Sequence, residues 1–296
     1  MTPCLYPSQS NHYKLFMLSY RHSYHAGNYA DVLKHTVLIH ILEHLKQKQK
    51  PFCYVDTHAG AGAYSLQSEQ AEKTQEYKQG IAELWDKTDL PPSIQHYIEQ
   101  IKQANPNGNL THYLGSPKIA QQRLRSQDQL KLYELHNTEI ELLKEQMGHD
   151  RRVQIFHEDG FKHCVGLMPP QQRRGLVLID PSYEIKTEYQ QVFELLEQLH
   201  KRFATGTYAL WYPVVDRERI DNLERMIKAS TLSNVQLFEL AQSPDSEMHG
   251  MTASGLIVVN PPWTLKKAMQ EALPYLAEHL GQNKAESYRI EQLKAE

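Results

Sequence analysis

Nowhere in this chain of 296 residues is there an apolar run approaching the roughly 20 residues a bilayer-spanning helix needs. With a mean hydropathy of −0.61, no membrane protein is expected. The opening segment MTPCLYPSQSNHYKLF lacks the apolar stretch of about 7–15 residues that a secretory leader requires, so the cytoplasm is the expected compartment. Cysteine is scarce as well. Cys4, Cys53 and Cys164 are odd in number and have no Cys-x-x-Cys spacing, which points away from a disulfide framework and from a cysteine zinc site. Positive charge is not in excess, since 32 Lys and Arg stand against 35 Asp and Glu for a formal net charge of −3. The chain is therefore not coated in the basic residues of a general nucleic-acid binder. Internal repeats and low-complexity tracts are absent too. With 40% apolar and 23% charged residues, the composition is that of an ordinary globular chain, long enough for one large domain or two smaller ones.

What the chain does have is histidine, 16 in all. At a reference pKa of about 6.5 they add about four positive charges at pH 7. From His12 to Lys50, six Lys or Arg and six His face two acids, Asp31 and Glu43. A local basic patch near the N-terminus is compatible with a nearly neutral molecule.

Seven short apolar segments read as strands: 52–55, 130–135, 152–156, 175–180, 206–215, 235–240 and 255–260. Helical patterns separate most of them. Thr138 with Glu141 and Thr187 with Gln190 have capping-box spacing, and Ser116-Pro117 reads as an N-cap followed by Pro. Alternating strands and helices predict a doubly wound α/β fold with a mainly parallel, seven-stranded sheet. About 75 residues separate the first two strands, well beyond the roughly 30 of a βαβ unit. Residues 64–110 are accordingly expected to be a helical insertion subdomain. In it, Tyr77, Ile81, Leu84 and Trp85 share one helical face, and Ile94, Tyr97, Ile98 and Ile101 share another. The polar residues 281–296 are expected to fray as a C-terminal tail.

The first strand runs into Asp56-Thr57-His58-Ala59-Gly60-Ala61-Gly62, a glycine turn that lets backbone approach a ligand at the carboxyl edge of the sheet. Ser65 stands where a dinucleotide fingerprint would need its third Gly, which disfavours a nicotinamide cofactor. Glu134, at the tip of the next core strand, has the position of a carboxylate that accepts hydrogen bonds from both ribose hydroxyls of an adenosine cofactor. Asp159-Gly160 follows the strand after that, where the acid suits an adenine amine. Leu178-Ile179-Asp180-Pro181-Ser182-Tyr183 resembles the (D/N)PP(Y/F/W) motif of methyltransferases that act on exocyclic amines, with Ser182 in place of the second proline. An adenine N6 is a poor nucleophile because its lone pair is delocalised into the ring. A carboxylate and a carbonyl accepting its two N–H groups favour a pyramidal nitrogen, and an aromatic at the fourth position can stack on the extruded base. Asn260-Pro261-Pro262-Trp263 fits the motif's letters better but follows the last strand, so Asp180 is the preferred acid. His40-Ile41-Leu42-Glu43-His44 has zinc-peptidase spacing without an identifiable third ligand, and one face of a helix is the expected reading. His22 and His25 are expected to face nucleic acid or to be structural. No Gly-x-Ser-x-Gly supports hydrolase chemistry.

Together with Tyr20–Asn28, Asp31–His35, Leu114–Pro117, Lys201–Gly206 and Gly250–Gly255, these segments resemble the bacterial RlmJ-type enzymes, which are 23S ribosomal RNA adenine-N6 methyltransferases. The similarity runs from Met17 to about Leu280. It implies a Rossmann-like class I methyltransferase domain over 17–63 and 111–280, preceded by an extension, 1–16, that is expected to be disordered. S-adenosylmethionine is the implied cofactor, with His35, His58, Gly60, Ser116, Glu134, Asp159, Gly160 and Asp180 against it and S-adenosylhomocysteine as product. Asp180 is the implied active acid; the Pro181 carbonyl and the Tyr183 ring are expected to complete the catalytic group. Tyr20 is the implied contact to a 23S rRNA partner, and Arg21, Lys34 and Tyr183 are expected to join it, with no metal, no membrane and a monomeric enzyme expected. DNA or protein amines remain alternative substrates, as does a non-catalytic RNA-binding module on the same fold.

Overall fold

A computed structural model describes residues 21–245, 250–281 and 288–296. The seven apolar segments all become strands of one sheet: β1 (Cys53–Asp56), β4 (Gln129–Tyr133), β5 (Val153–Phe156), β6 (Gly175–Ile179), β7 (Thr207–Val214), β8 (Val235–Ala241) and β9 (Ala253–Val259). Two short strands, β2 (Ala63–Ser65) and β3 (His112–Leu114), form a separate antiparallel ribbon. An eighth strand of the main sheet, β10 (Tyr288–Lys294), runs antiparallel to β8, so the sheet has one strand more than expected and residues 288–294 of the expected tail are an edge strand. Its order is β10-β8-β9-β7-β6-β1-β4-β5. Strands β1, β4, β5, β6 and β7 pair parallel, whereas β9 runs against both β7 and β8. With β10 set aside, a doubly wound sheet with one reversed strand, β9, is the class I methyltransferase arrangement that the resemblance implies; β10 adds a second reversed strand at the edge.

The apolar runs are continuous because both faces of the sheet are covered. In β6, Leu176 and Leu178 enter the core on one face, while Val177 and Ile179 enter that on the other. On the first face lie α1 (Tyr29–Lys46) and α10 (Leu265–Leu280); on the second lie α8 (Glu188–Arg202) and α9 (Arg217–Ala229). Helix α1 starts because the Asn28 side chain accepts the Asp31 N–H. Its Val32, Leu33, Val37, Leu38, Ile41 and Leu42 are buried.

Segment 64–110 holds three helices, α2 (Glu69–Thr74), α3 (Ile81–Leu84) and α4 (Pro92–Lys102). Their Ile81, Leu84, Trp85, Ile94, Tyr97 and Ile101 join the same core cluster as α1 and α10. The insertion also grips the N-terminal turn. Glu76 accepts from Asn28 Nδ2 at 2.9 Å and pairs with His25 at 2.9 Å, and the Ile81 N–H donates to the Gly27 carbonyl at 2.9 Å.

All three capping expectations change, beginning with Thr187, which precedes α8 but makes no side-chain cap bond. In α6 (Asn137–Met147) Thr138 lies within the first turn, and the cap is His136, whose ring accepts the Thr138 and Glu139 N–H groups. In α5 (Ser116–Arg123) the capping position falls on Gly115, which leaves the Ser116 hydroxyl to donate to buried Asp56 at 2.7 Å. The remaining short helix, α7 (Gly160–His163), is capped by Asp159.

Candidate active site

The carboxyl ends of β1, β4 and β6 converge on a cleft of about 730 Å³. Gly60 takes φ +61°, a left-handed conformation that favours glycine, and a Cβ there would push against the Tyr64 hydroxyl. The bend turns the Gly60 N–H toward Glu134 Oε2 at 2.7 Å, and the His136 N–H reaches Glu134 Oε1 at 2.7 Å. Burial pushes the Glu134 carboxyl above its ordinary range, against those two N–H groups. Each oxygen retains a lone pair for a ligand hydroxyl.

His35, His58, Gly60, Ser116, Glu134 and Asp180, six of the eight residues implied for the cofactor, line this cleft. Burial drives the His35 imidazole down to about 3 and that of His58 to about 4, so both are neutral at pH 7. His35 Nδ1 is 2.7 Å from the Tyr113 hydroxyl, and His58 Nδ1 is 2.8 Å from Thr57 Oγ1. Asp56 sits beneath the turn, bonded to Tyr54 and Ser116 at 2.7 Å each, and burial raises it to about 6.

Asp159 and Gly160 stand apart from the lining. Asp159 accepts the Phe161 N–H at 3.0 Å and pairs with Lys162 at 2.9 Å. Gly160 is required for packing, because a Cβ would lie 2.2 Å from the Thr57 carbonyl. Phe161, next in the chain, sets its ring edge-on to His58 at 4.8 Å.

A second cavity, about 1190 Å³, opens on the other side of Asp180. Tyr29, Tyr183, Trp211, Val215 and Met251 give it an apolar wall. His22, Lys34, Asp180 and Ser182 line both spaces. Lys34 Nζ bridges Asp180 Oδ2 at 2.7 Å and Asp31 Oδ1 at 2.9 Å, 5.5 Å from the Trp211 ring centre. Burial alone would push the Asp31 carboxyl up, but His22, Lys34 and His35 outweigh it and hold it well below the usual range. Tyr183 has φ +55° and donates its hydroxyl to the Trp211 carbonyl at 2.7 Å, with its ring 4.6 Å from Tyr189. It forms wall rather than a free plate.

Among the expected RNA contacts, Lys34 is thus a buried partner of two acids, and Arg21 is exposed but lines neither cavity. Tyr20 lies outside the described residues. His22 and His25 pair with Asp31 and Glu76, respectively. His40 bonds Thr264 at 2.9 Å and Glu43 pairs with Lys46 at 2.9 Å, so the HxxEH segment is engaged in helix packing. No three His, Cys, Asp or Glu side chains gather as a metal site among the described residues. Asn260 lies at the opposite edge of the sheet, because β9 is reversed, and its amide bonds the Ala204 and Gly206 carbonyls at 2.8 Å each.

Several lining residues carried no sequence signal for a site: Tyr64, His136, Glu139 and Trp211. Asp31 and Lys34 lie at i, i+3 on α1, a spacing that places them side by side without revealing Asp180 as a third partner.

Residues 49–293 match the family model described as "Ribosomal RNA large subunit methyltransferase D, RlmJ". The chain belongs to this family. A Haemophilus influenzae member named "Ribosomal RNA large subunit methyltransferase J" is 50% identical over 281 residues, covering 95% of this chain and 100% of its own. A member of the same name from Escherichia coli K12 is 52% identical over 260 residues, covering 88% of this chain and 93% of its own. A crystal structure of a Legionella pneumophila protein aligns with a TM-score of 0.84 at 39% identity, over 90% of this chain and 98% of that one. The methyltransferase family is thus matched across both cavities and the Asp180 loop between them.

Proposed function

We propose that this protein transfers a methyl group from S-adenosylmethionine to N6 of one adenine in 23S rRNA, in the cytoplasm and as a monomer. The observation that carries this reading is the junction of two cavities at Asp180. One is lined by an acid suited to a ribose diol, and the other is large, open and walled by aromatics. The names of the relatives support rRNA as the substrate class. Residues present fit the cofactor: Glu134 offers free lone pairs, the Gly60 turn admits close approach, and neutral His35 and His58 add no charge against a sulfonium.

When bound, the cofactor supplies an electrophilic methyl on sulfur. Asp180 and the Pro181 carbonyl accept the two N–H groups of the target amine and turn its lone pair toward the first cavity. Lys34 holds the Asp180 carboxylate in place at 2.7 Å. Tyr183 and Trp211 provide the apolar wall against which an extruded base lies. The N–C bond would form as the methyl–sulfur bond breaks, the sulfur leaving as a neutral thioether with the bonding pair and the N6 proton passing to water, so no covalent enzyme intermediate would be required.

The test is to incubate the protein with methyl-labelled cofactor and unmethylated, protein-free 23S rRNA, then digest to nucleosides for mass spectrometry. Labelled N6-methyladenosine, lost in Asp180→Ala with the fold intact, is the expected result. Near-normal turnover in that variant would remove Asp180 from the chemistry, and preferential labelling of matched DNA would reassign the substrate.

A further inference from the structure

The two edges of the sheet differ in sign. Segments entering the six mutually parallel strands β1, β4, β5, β6, β7 and β8 (47–52, 124–128, 148–152, 168–174, 203–206 and 230–234) hold seven Lys or Arg and two acids. The described segments leaving them (57–62, 134–136, 157–159, 180–187, 215–216 and 242–245) hold seven acids and a single lysine, Lys186. An acidic catalytic edge repels phosphates, and Lys34 is held between Asp31 and Asp180. The strand-end loops of that edge therefore supply little affinity for a polyanion, and the opposite edge is placed to add it.

At the opposite edge both acids are already neutralised, Asp128 by Arg125 at 2.8 Å and Asp150 by Arg152 at 2.6 Å. Lys48, Lys50, Arg151 and Arg173 are exposed there, with no acidic partner among the described residues. Lys201, at the end of α8, and Lys267, at the start of α10, extend the line. The lysine loop is held in shape from beneath. Arg125 donates to the Lys48 carbonyl at 2.8 Å and the Lys50 carbonyl at 3.2 Å, and Arg174 donates to the Lys50 carbonyl at 2.8 Å and the Leu45 carbonyl at 2.6 Å. Neighbouring groups sense the field: His44 is shifted down by burial and then by Arg174 and Lys48.

Trp263 stands at the same edge and is 84% exposed. Asn260 ties its turn to the segment entering β7, in line with the basic loops. From β9 to β5 there are five strand spacings, roughly 24 Å at about 4.8 Å each. That length suits several successive phosphates.

We propose that this edge is a second RNA-docking surface, which holds backbone phosphates of the rRNA outside the methylated nucleotide and stacks an unpaired base on Trp263. The inference rests on rRNA being the substrate. It places RNA on both edges of the sheet, so a long folded transcript engages the surface and a short hairpin bearing only the target adenine does not.

The experiment compares the full chain with a Lys48→Glu/Lys50→Glu/Arg173→Glu variant and with Trp263→Ala. Each is assayed on full-length unmethylated 23S transcript and on a short hairpin around the labelled adenine. Equal cofactor affinity and circular dichroism verify the fold, and the corresponding Gln variant is used if the charge reversal does not fold. The triple variant is expected to raise KM for the transcript at least tenfold, with kcat and hairpin KM within twofold. The slope of log Kd against log salt should shallow by about 0.7–0.9 for each phosphate that the variant no longer neutralises. Trp263→Ala should raise transcript KM several-fold with no change in that slope. Unchanged transcript KM and salt slope would overturn the proposal and reassign the edge to a protein partner. If the unaltered protein binds cofactor but methylates neither RNA, the functional reading fails instead; filter binding of the transcript to the same variants then decides the docking surface.

Discussion

Lys34 Nζ stands between two carboxylates, 2.7 Å from Asp180 Oδ2 and 2.9 Å from Asp31 Oδ1. A single buried cation therefore sets where the candidate catalytic acid points. Lys34→Met removes the cation from Asp180 while Asp31 retains His22, and kcat is expected to fall about a hundredfold while cofactor affinity changes little. Lys34→Arg should not restore the rate, because a planar fork does not reproduce a point charge held between two oxygens. Single-turnover methyl transfer checks both; a Met variant within threefold of the unaltered rate would remove Lys34 from the mechanism.

Acid sensitivity follows from His35. Burial lowers its folded-state pKa to about 3 from the ordinary 6.5, so below pH 6.5 the unfolded chain takes up a proton that the folded chain refuses. Its contribution to stability is complete above pH 6.5 and declines by about 1.4 kcal/mol per pH unit on acidification. Asp56, raised to about 6, acts in the opposite sense, favouring the folded state as pH falls from 6 toward its unfolded value. His35→Gln keeps a polar group for Tyr113 and cannot titrate. Between pH 7 and pH 5 it should reduce the loss of unfolding free energy by about 2 kcal/mol, measured by urea titration. The same decline in both proteins would show that another group is responsible.

Tyr183 separates two roles in one side chain. Tyr183→Phe removes the bond to the Trp211 carbonyl and keeps the ring, so stability should drop by about 1 kcal/mol with kcat within threefold. Tyr183→Ala removes part of the larger cavity's wall, and kcat/KM is expected to fall about a hundredfold. Equal rates in the two variants would mean that the ring is not used.

Ending the chain after residue 281 deletes β10. That bares the edge of β8 and removes Arg289, which lies 2.9 Å from Glu224 and 3.6 Å from Glu239. Calorimetry is expected to show Tm lowered by roughly 10 °C or more, as for a loss of a few kcal/mol, together with aggregation through the bare strand. A Tm within 2 °C would make β10 an ornament of the sheet.

Strands buried on both faces announce themselves as apolar runs, which is why β6 and β9 were legible from sequence. Strand β10, YRIEQLK, is an edge strand with one covered face, and its alternation of charge and apolar residues reads as a polar tail. Acids at strand tips were legible for the same reason: topology fixes Glu134 and Asp180 at the carboxyl edge whatever their side chains do. Their partners were not. Lys34 meets Asp180 across 146 positions of sequence, and no local pattern encodes a helix face turned to a distant strand end. Asp159 was also placed by topology, but its carboxylate closes its own short helix and pairs with Lys162. Tyr183 has the letter expected for stacking, while its left-handed backbone turns the hydroxyl onto Trp211.

Glu76 holds the N-terminal turn through His25 and Asn28, across 51 and 48 positions of sequence. Each closes a shorter loop than the pairing of β1 with β4, Cys53 beside Gln129, or with β6, Cys53 beside Gly175. His22, in the turn so held, lines the smaller cleft and the larger cavity alike. Loosening Glu76 would therefore disturb room for the small ligand and for the large one together, and the insertion serves as a brace common to both.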